Sequence, residues 1–217
     1  MKTFVVIGLG RFGYSVATEL SALGHEVLAI GLTEDTVQSV ADQVTHAVTA
    51  DARDPAVLKA LGVGNYDCAV VAAGSDVGDS ALITLNLKEM GMKQVICKAS
   101  SHVHRRVLEK IGADRVVFPE HEMGAKLAQG LSCSNVLNFI ELSQDYGIVE
   151  LAVPASWRGK SLREVDVRRN YHVNIIAIRR GGKDMEITFQ PDEPLKEDDI
   201  LVTMGRNDDI NHLHEVK

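Results

Sequence analysis

Gly8, Gly10 and Gly13 stand in the spacing GxGxxG, between the apolar run FVVI and the segment RFGYSVATEL. Glycines so spaced do chemistry when a strand precedes them and a helix follows. The first permits a tight turn, the second lets the backbone approach a pyrophosphate, and the third lets the helix pack closely on the strand. The helix then offers a phosphate unpaired N–H groups and a partial positive charge. The stretch reads as a nucleotide-binding turn, with a merely structural turn as the alternative. Arg11 and Phe12 lie inside the loop. A guanidinium at Arg11 could grip an additional phosphate that nicotinamide dinucleotides do not present at that point; a solvated first-turn arginine is the other reading.

The carboxylate that takes the ribose hydroxyls is expected at the end of the second strand, about 20 residues beyond the turn. Gly31 occupies that position. Glu34 and Asp35 lie close by but read as the start of the next helix, where acids favour the N-terminus for dipole reasons alone. Losing two charge-assisted hydrogen bonds, each worth about 1.5 to 3 kcal/mol, lowers affinity by tens to thousands of fold and leaves the phosphate cradle in place. Lys98 falls at the carboxyl end of an interior strand, the edge at which doubly wound sheets bind ligands. A snorkelling edge lysine is the competing reading. Glu120 and Glu122 follow Pro119 in an expected first helical turn, where acids complement a helix dipole. His102, His104 and His121 make no convincing transition-metal set and read as solvated histidines.

The elements that must position these residues are legible from periodicity. Short apolar runs FVVIG, VLAI (27–30), HAVTA (46–50), CAVVAA (68–73), VICKA (95–99) and RVVF (115–118) alternate with amphipathic segments. Such runs suit strands buried on both faces of a parallel sheet. Asp54 and Pro55 offer an N-cap and a first helical residue, and Gly62 ends that helix. Val37, Val40, Ala41 and Val44 follow helical spacing after Thr33, and Ser101 and Gly112 bracket SHVHRRVLEKIG. Parallel neighbours need right-handed crossovers, so the fold class is α/β, a doubly wound Rossmann-like sheet. After Pro119 the pattern changes. PEHEMGAKLAQGLS predicts a helix, NVLNFIEL a crossover, and IVELAV, VNIIAIRR, DMEITF and DILVTMG a strand-rich α+β lobe, with Gly181 and Gly182 turning a hairpin. The expected domains are 1–144 and 145–217, the second too small for a sizeable core of its own.

Composition narrows the function classes. The 217 residues are 45% apolar, enough for a packed core, and no run approaches the length of a membrane helix. No secretory leader is visible, so a cytoplasmic protein is expected. The three cysteines, Cys68, Cys97 and Cys133, are far apart and odd in number, which argues for reduced packing thiols. A net charge of −7 without a basic block argues against nucleic acid and against anionic lipid.

IGLGRFGYSVATEL, HAVTADARD, KEMGMKQVICKA and RVLEKIGADRVVFPEHEMG together resemble the cytosolic regulatory subunits of Ktr and Trk potassium-uptake systems, members of the RCK family of regulators of potassium conductance. The resemblance implies a binding switch, not an enzyme. It implies homodimers that assemble into an octameric ring beneath an integral membrane potassium-translocating subunit, peripheral to the inner face of the membrane and governed by ATP or ADP, with NAD(H) less expected. By position, Gly8, Gly10, Arg11, Phe12 and Gly13 then hold phosphates, Asp51 and Ala52 border the adenine, Ala73 and Gly74 the ribose side, and Lys98 the phosphates. Gly31 departs from the family's usual aspartate. Glu120 matches a glutamate that binds a divalent cation, Mg or Ca, at a subunit contact. DVRRNYHVNIIAIRR resembles the segment some members use for cyclic di-AMP, which makes Arg168, Asn174, Ile175 and Pro191 candidates; plain strand core and dimer interface is the alternative.

Two rivals come from other classes. An NAD-dependent oxidoreductase shares the sheet and the glycine turn, but the final 70 or so residues offer no evident catalytic constellation. A redox-sensing transcriptional regulator would need a basic recognition element, and none is visible.

Overall fold

The structure, a computed structural model, describes residues 1–73, 76–132, 136–143, 145–182 and 184–213. It groups into two compact units, Met1–His121 and Glu122–Lys217. The expected boundary residue, Gln144, and the expected site residue Gly74 lie outside the described residues, as does Cys133.

In the first unit the chain alternates strand and helix: β1 (Thr3–Ile7), α1 (Arg11–Ala22), β2 (Glu26–Gly31), α2 (Glu34–Gln38), β3 (His46–Thr49), α3 (Pro55–Ala60), β4 (Cys68–Val71), α4 (Val77–Glu89), β5 (Val95–Lys98), α5 (His102–Ile111) and β6 (Arg115–Val117). The described strands pair in parallel in the order β3-β2-β1-β4-β5-β6, the doubly wound arrangement expected. The order reverses between β1 and β4, so a crevice opens at their carboxyl ends.

The continuous apolar strands follow from burial on both faces. Val5 and Ile7 of β1, Leu28 and Ile30 of β2 and Ala69 and Val71 of β4 enter one core layer. The alternate residues Val6, Val27, Ala29, Cys68 and Val70 enter the other. Cys68 and Cys97 are buried free thiols, as packing thiols should be.

Helix ends are set locally. Asp54 accepts from the Ala56 N–H at 2.8 Å, Asp76 accepts from the N–H groups of Gly78 and Asp79, and Ser101 accepts from His104 N–H. Gly112 ends α5 in the left-handed region at φ 105°. The helix expected from Val37 to Val44 is corrected: α2 stops at Gln38, and Ala41–Gln43 form a separate 3₁₀ turn. Val37 and Val40 still reach the core through this broken path.

His104 is a second correction. It was expected to be solvated, yet it is fully buried on the inner face of α5 beside Leu108. The ring finds partners there: Nδ1 accepts from Ser100 N–H at 3.2 Å, which leaves Nε2–H to donate to Ser80 Oγ at 2.7 Å. Burial lowers its pKa below the usual histidine value.

From α6 (Pro119–Ser132) the chain enters the second unit: β7 (Val136–Glu141), β8 (Tyr146–Ala152), α7 (Leu162–Val165), α8 (Val167–Tyr171), β9 (Asn174–Arg179), β10 (Met185–Glu186), β11 (Ile200–Arg206) and α9 (Asn207–Leu213). Its described strands pair antiparallel in the order β10-β9-β11-β8-β7. The segment expected as a crossover, NVLNFIEL, is mostly the edge strand β7, because Phe139 and Ile140 find register against Val149 and Ile148. The Gly181-Gly182 hairpin is present, with both glycines at positive φ, but its second arm pairs only over Met185–Glu186 instead of the whole of DMEITF. One face of the sheet packs on Trp157, Val165, Ile210 and Leu213, and Ile140, Ile176 and Met204 stay exposed. Among the described residues no helix is long and apolar enough to cross a membrane.

Candidate functional site

The glycine turn closes by contact. Gly8 has φ +92°, and a side-chain carbon placed there would meet the backbone of Ala73 at 2.5 Å. At Gly13 such a carbon would lie 1.8 Å from the Gly8 carbonyl oxygen, which is why the helix can seat directly on the turn. Gly10 differs: nothing lies within 4 Å of its would-be Cβ. That open side lets a pyrophosphate approach the protein backbone. Gly10 is also the N-cap of α1, makes no side-chain capping bond, and is followed by a first turn without acids. The helix end therefore keeps its positive potential facing the opening. Arg11 is the exposed first residue of that helix.

Two adjoining hollows lie at the carboxyl ends of the strands. One, of about 70 Å³, is lined by Gly8, Gly31, Asp51, Ala52 and Ala73 and walled by Ile7, Ile30 and Ile83. The other, of about 240 Å³, is lined by Gly8, Gly10, Thr33, Thr36, Ala73 and Asp76. Five of the expected nucleotide residues thus share one hollow, and the glycine turn joins it to the next. The larger hollow has the glycine turn at its side and two carboxylates, Asp76 and Asp79, on its wall, and the smaller has apolar walls that suit a flat base.

The pairing of the crevice's charges was not legible beforehand. Arg53 donates to both oxygens of Asp51, at 2.8 and 2.7 Å, and to Asp79 at 3.2 Å. The hydrogen bonds from Arg53 pull the Asp51 carboxyl down to about 2. Arg53 and Asp79 are 26 positions apart and no spacing rule connects them. The N-cap Asp76 was findable, because it precedes Asp79 by three residues at a helix start.

On the other side of the turn, Lys98 at the end of β5 pairs with Glu120 in the first turn of α6 at 2.6 Å. The Lys98 ammonium also sits 5.9 Å from the centre of the Phe12 ring. The bond from Lys98 holds the Glu120 carboxyl below its usual range, with a smaller contribution from nearby Arg11. Lys98, Phe12, Arg11 and Glu120 therefore form one neighbourhood beside the glycine turn. As a cation site within one chain, Glu120 does not fit: its carboxylate is already engaged, and no three acids, histidines or cysteines gather as a ligand set among the described residues.

In the second unit, Arg168, Ile175 and Pro191 line a hollow of about 340 Å³ with Leu162, Val167 and Phe189. Asn174 does not join them. It lines a separate hollow of about 660 Å³ with Tyr146, Met204 and Arg206, since neighbouring strand residues face opposite sides of the sheet.

The TrkA-N domain matches residues 4–119 and the TrkA-C domain residues 148–217. The chain is 45% identical over 209 residues, 96% of this chain and 94% of the relative, to Ktr system potassium uptake protein A of Bacillus subtilis (strain 168). It is 40% identical over 214 residues, 99% of this chain and 96% of the relative, to Ktr system potassium uptake protein C of the same organism. Among solved structures, the GsuK channel superposes with a TM-score of 0.71 at 21% identity, covering 99% of this chain and 39% of that one. The GsuK channel bound to NAD gives 0.69 at 20%, with the same coverage. The chain thus spans about two fifths of those channel chains, and the likeness is one of fold.

Proposed function

The chain belongs to the family of proteins built from TrkA-N and TrkA-C domains, and from that premise we propose that it is a regulatory subunit of a potassium-uptake system, switched by adenine nucleotides. The observation that carries this reading is the open side of Gly10 at an uncapped helix N-terminus, joined to an apolar hollow that suits a base. A protein of this kind binds and changes state; it does not turn over a substrate.

The switch works by differential affinity, since a ligand shifts a two-state equilibrium only as far as it prefers one state. Arg11 supplies a source of that preference. A terminal phosphate can draw its guanidinium into the opening, and a diphosphate that ends short of it cannot. Lys98 supplies a second. A phosphate that takes the lysine leaves Glu120 without its partner, so occupancy is coupled to the first turn of α6.

The finer assignments belong to the same proposal. ATP and ADP are the expected ligands, the protein is cytoplasmic and docks on an integral membrane potassium-translocating subunit, and its homodimers build an octameric ring. A divalent ion at a subunit contact would need the Glu120 carboxylates of two chains. The hollow of Arg168, Ile175 and Pro191 is the candidate for cyclic di-AMP.

Calorimetric titration of the purified protein with ATP, ADP and NADH, beside Arg11→Ala, tests the reading. The expected result is tighter binding of ATP than of ADP, a difference that Arg11→Ala reduces by about ten-fold or more, as the loss of a charge-assisted hydrogen bond requires. Equal affinities with no change of shape in scattering would overturn it.

A further inference from the structure

We infer that Gly31 makes the crevice indifferent to the ribose hydroxyls, so that it takes adenine nucleotides by base and phosphate and accepts the 2′-deoxy sugar as readily as ribose. The inference rests on the reading of the crevice as an adenine-nucleotide site, and names what that site selects.

Gly31 is more than a missing acid. The space a side chain would need there is filled. A Cβ at Gly31 would meet Val37 Cγ2 at 2.7 Å, Thr36 Oγ1 at 2.9 Å and Leu9 Cδ1 at 3.1 Å. Val37 and Leu9 are buried members of the core layer beneath, so the contact has closed around the glycine. A β-branched valine in a short helix has little rotamer freedom with which to retreat.

The acids that line the crevice come from other elements, the segment after β3 and the start of α4. Asp51 is held by two bonds from Arg53, and Asp79 by a third. Asp76 uses Oδ1 to cap α4 through Gly78 and Asp79. The hydroxyls of Thr33 and Thr36 lie 3.0 Å apart, and Thr36 donates to the Thr33 carbonyl at 2.8 Å. Asp76 and Asp79 keep their Oδ2 atoms, but both belong to the start of α4 and not to the end of β2. A sugar hydroxyl placed at Gly31 gains no charged acceptor from β2, so its removal loses none there.

Isothermal titration of the full chain with ADP and with 2′-deoxy-ADP tests this. The expected dissociation constants agree within about three-fold. ADP favoured by ten-fold or more overturns the inference and leaves the nucleotide reading standing; failure of both to bind brings down the nucleotide reading and the inference with it. A second variant guards the steric argument. Gly31→Asp with Val37→Ala, folded by a cooperative melt, is expected to bring a preference for ADP of about ten-fold or more, the worth of a charged acceptor. A folded double variant that remains indifferent would count against a sugar lying at Gly31 and overturn the inference.

Discussion

Gly10 and Gly13 sit three residues apart, and replacement by alanine should have opposite outcomes at the two. At Gly13 the added carbon would fall 1.8 Å from a backbone oxygen, so the turn must rebuild. Gly13→Ala should cost about 3 kcal/mol or more, read as a lower midpoint in urea unfolding. At Gly10 the carbon meets nothing. Gly10→Ala should cost no more than about 1 kcal/mol of capping preference while weakening nucleotide binding, and equal losses at both sites would mean that the turn is only structural. The glycines, Arg11 and Lys98 were legible because a local motif and a strand end announce them. Arg53 was not, because its partner Asp79 is brought to it by the return of the chain and not by spacing. Gly31 was legible as an absence; that Val37 fills the place was not.

At the scale of elements, α4 and α5 are joined through His104. Its ring bridges Ser100, at the approach to α5, to Ser80 in the first turns of α4. His104→Leu keeps the bulk but leaves the Ser100 N–H without its acceptor, and should cost about 1 to 3 kcal/mol. The pH dependence has a definite sign. Burial puts the folded pKa below the ordinary value of 6.5, so as pH falls below 6.5 the unfolded chain takes up a proton before the folded one does. The histidine thus withdraws stability as pH drops from about 6.5 toward its folded pKa. Melting temperatures across that range should fall less steeply in His104→Leu than in the parent, and parallel slopes would refute the assignment. In the first unit element existence was well read from the sequence, since buried parallel strands and capped helices carry local signals; in the second, the short helices α7, α8 and α9 were not foreseen. Among the strands the failures were where pairing is non-local: β7 is a strand because β8 lies beside it, and β10 is short because only Arg179 and Ile178 face it. The end of α2 escaped for a different reason, as valine spacing persists across a helix that breaks after Gln38.

At the scale of the molecule, every residue assigned to the two hollows beside the glycine turn belongs to the first unit. Residues 1–121 expressed alone should therefore keep adenine-nucleotide binding within a few-fold of the full chain, measured by titration, while any effect of nucleotide on potassium uptake should need both units. The fold class was recoverable from alternation alone, because a chain of parallel strands has few other ways to connect. The two described thiols, on interior strands of that sheet, have a practical consequence. Cys68 and Cys97 lie on neighbouring strands, and burial pushes both up to about 11. An alkylating reagent at neutral pH finds neither thiolate nor access, so it can modify them only when β4 and β5 part. With Cys133 replaced by serine, iodoacetamide uptake followed by mass becomes a clock for the opening of the sheet's interior. A nucleotide that binds only the intact sheet should slow that clock in proportion to its occupancy.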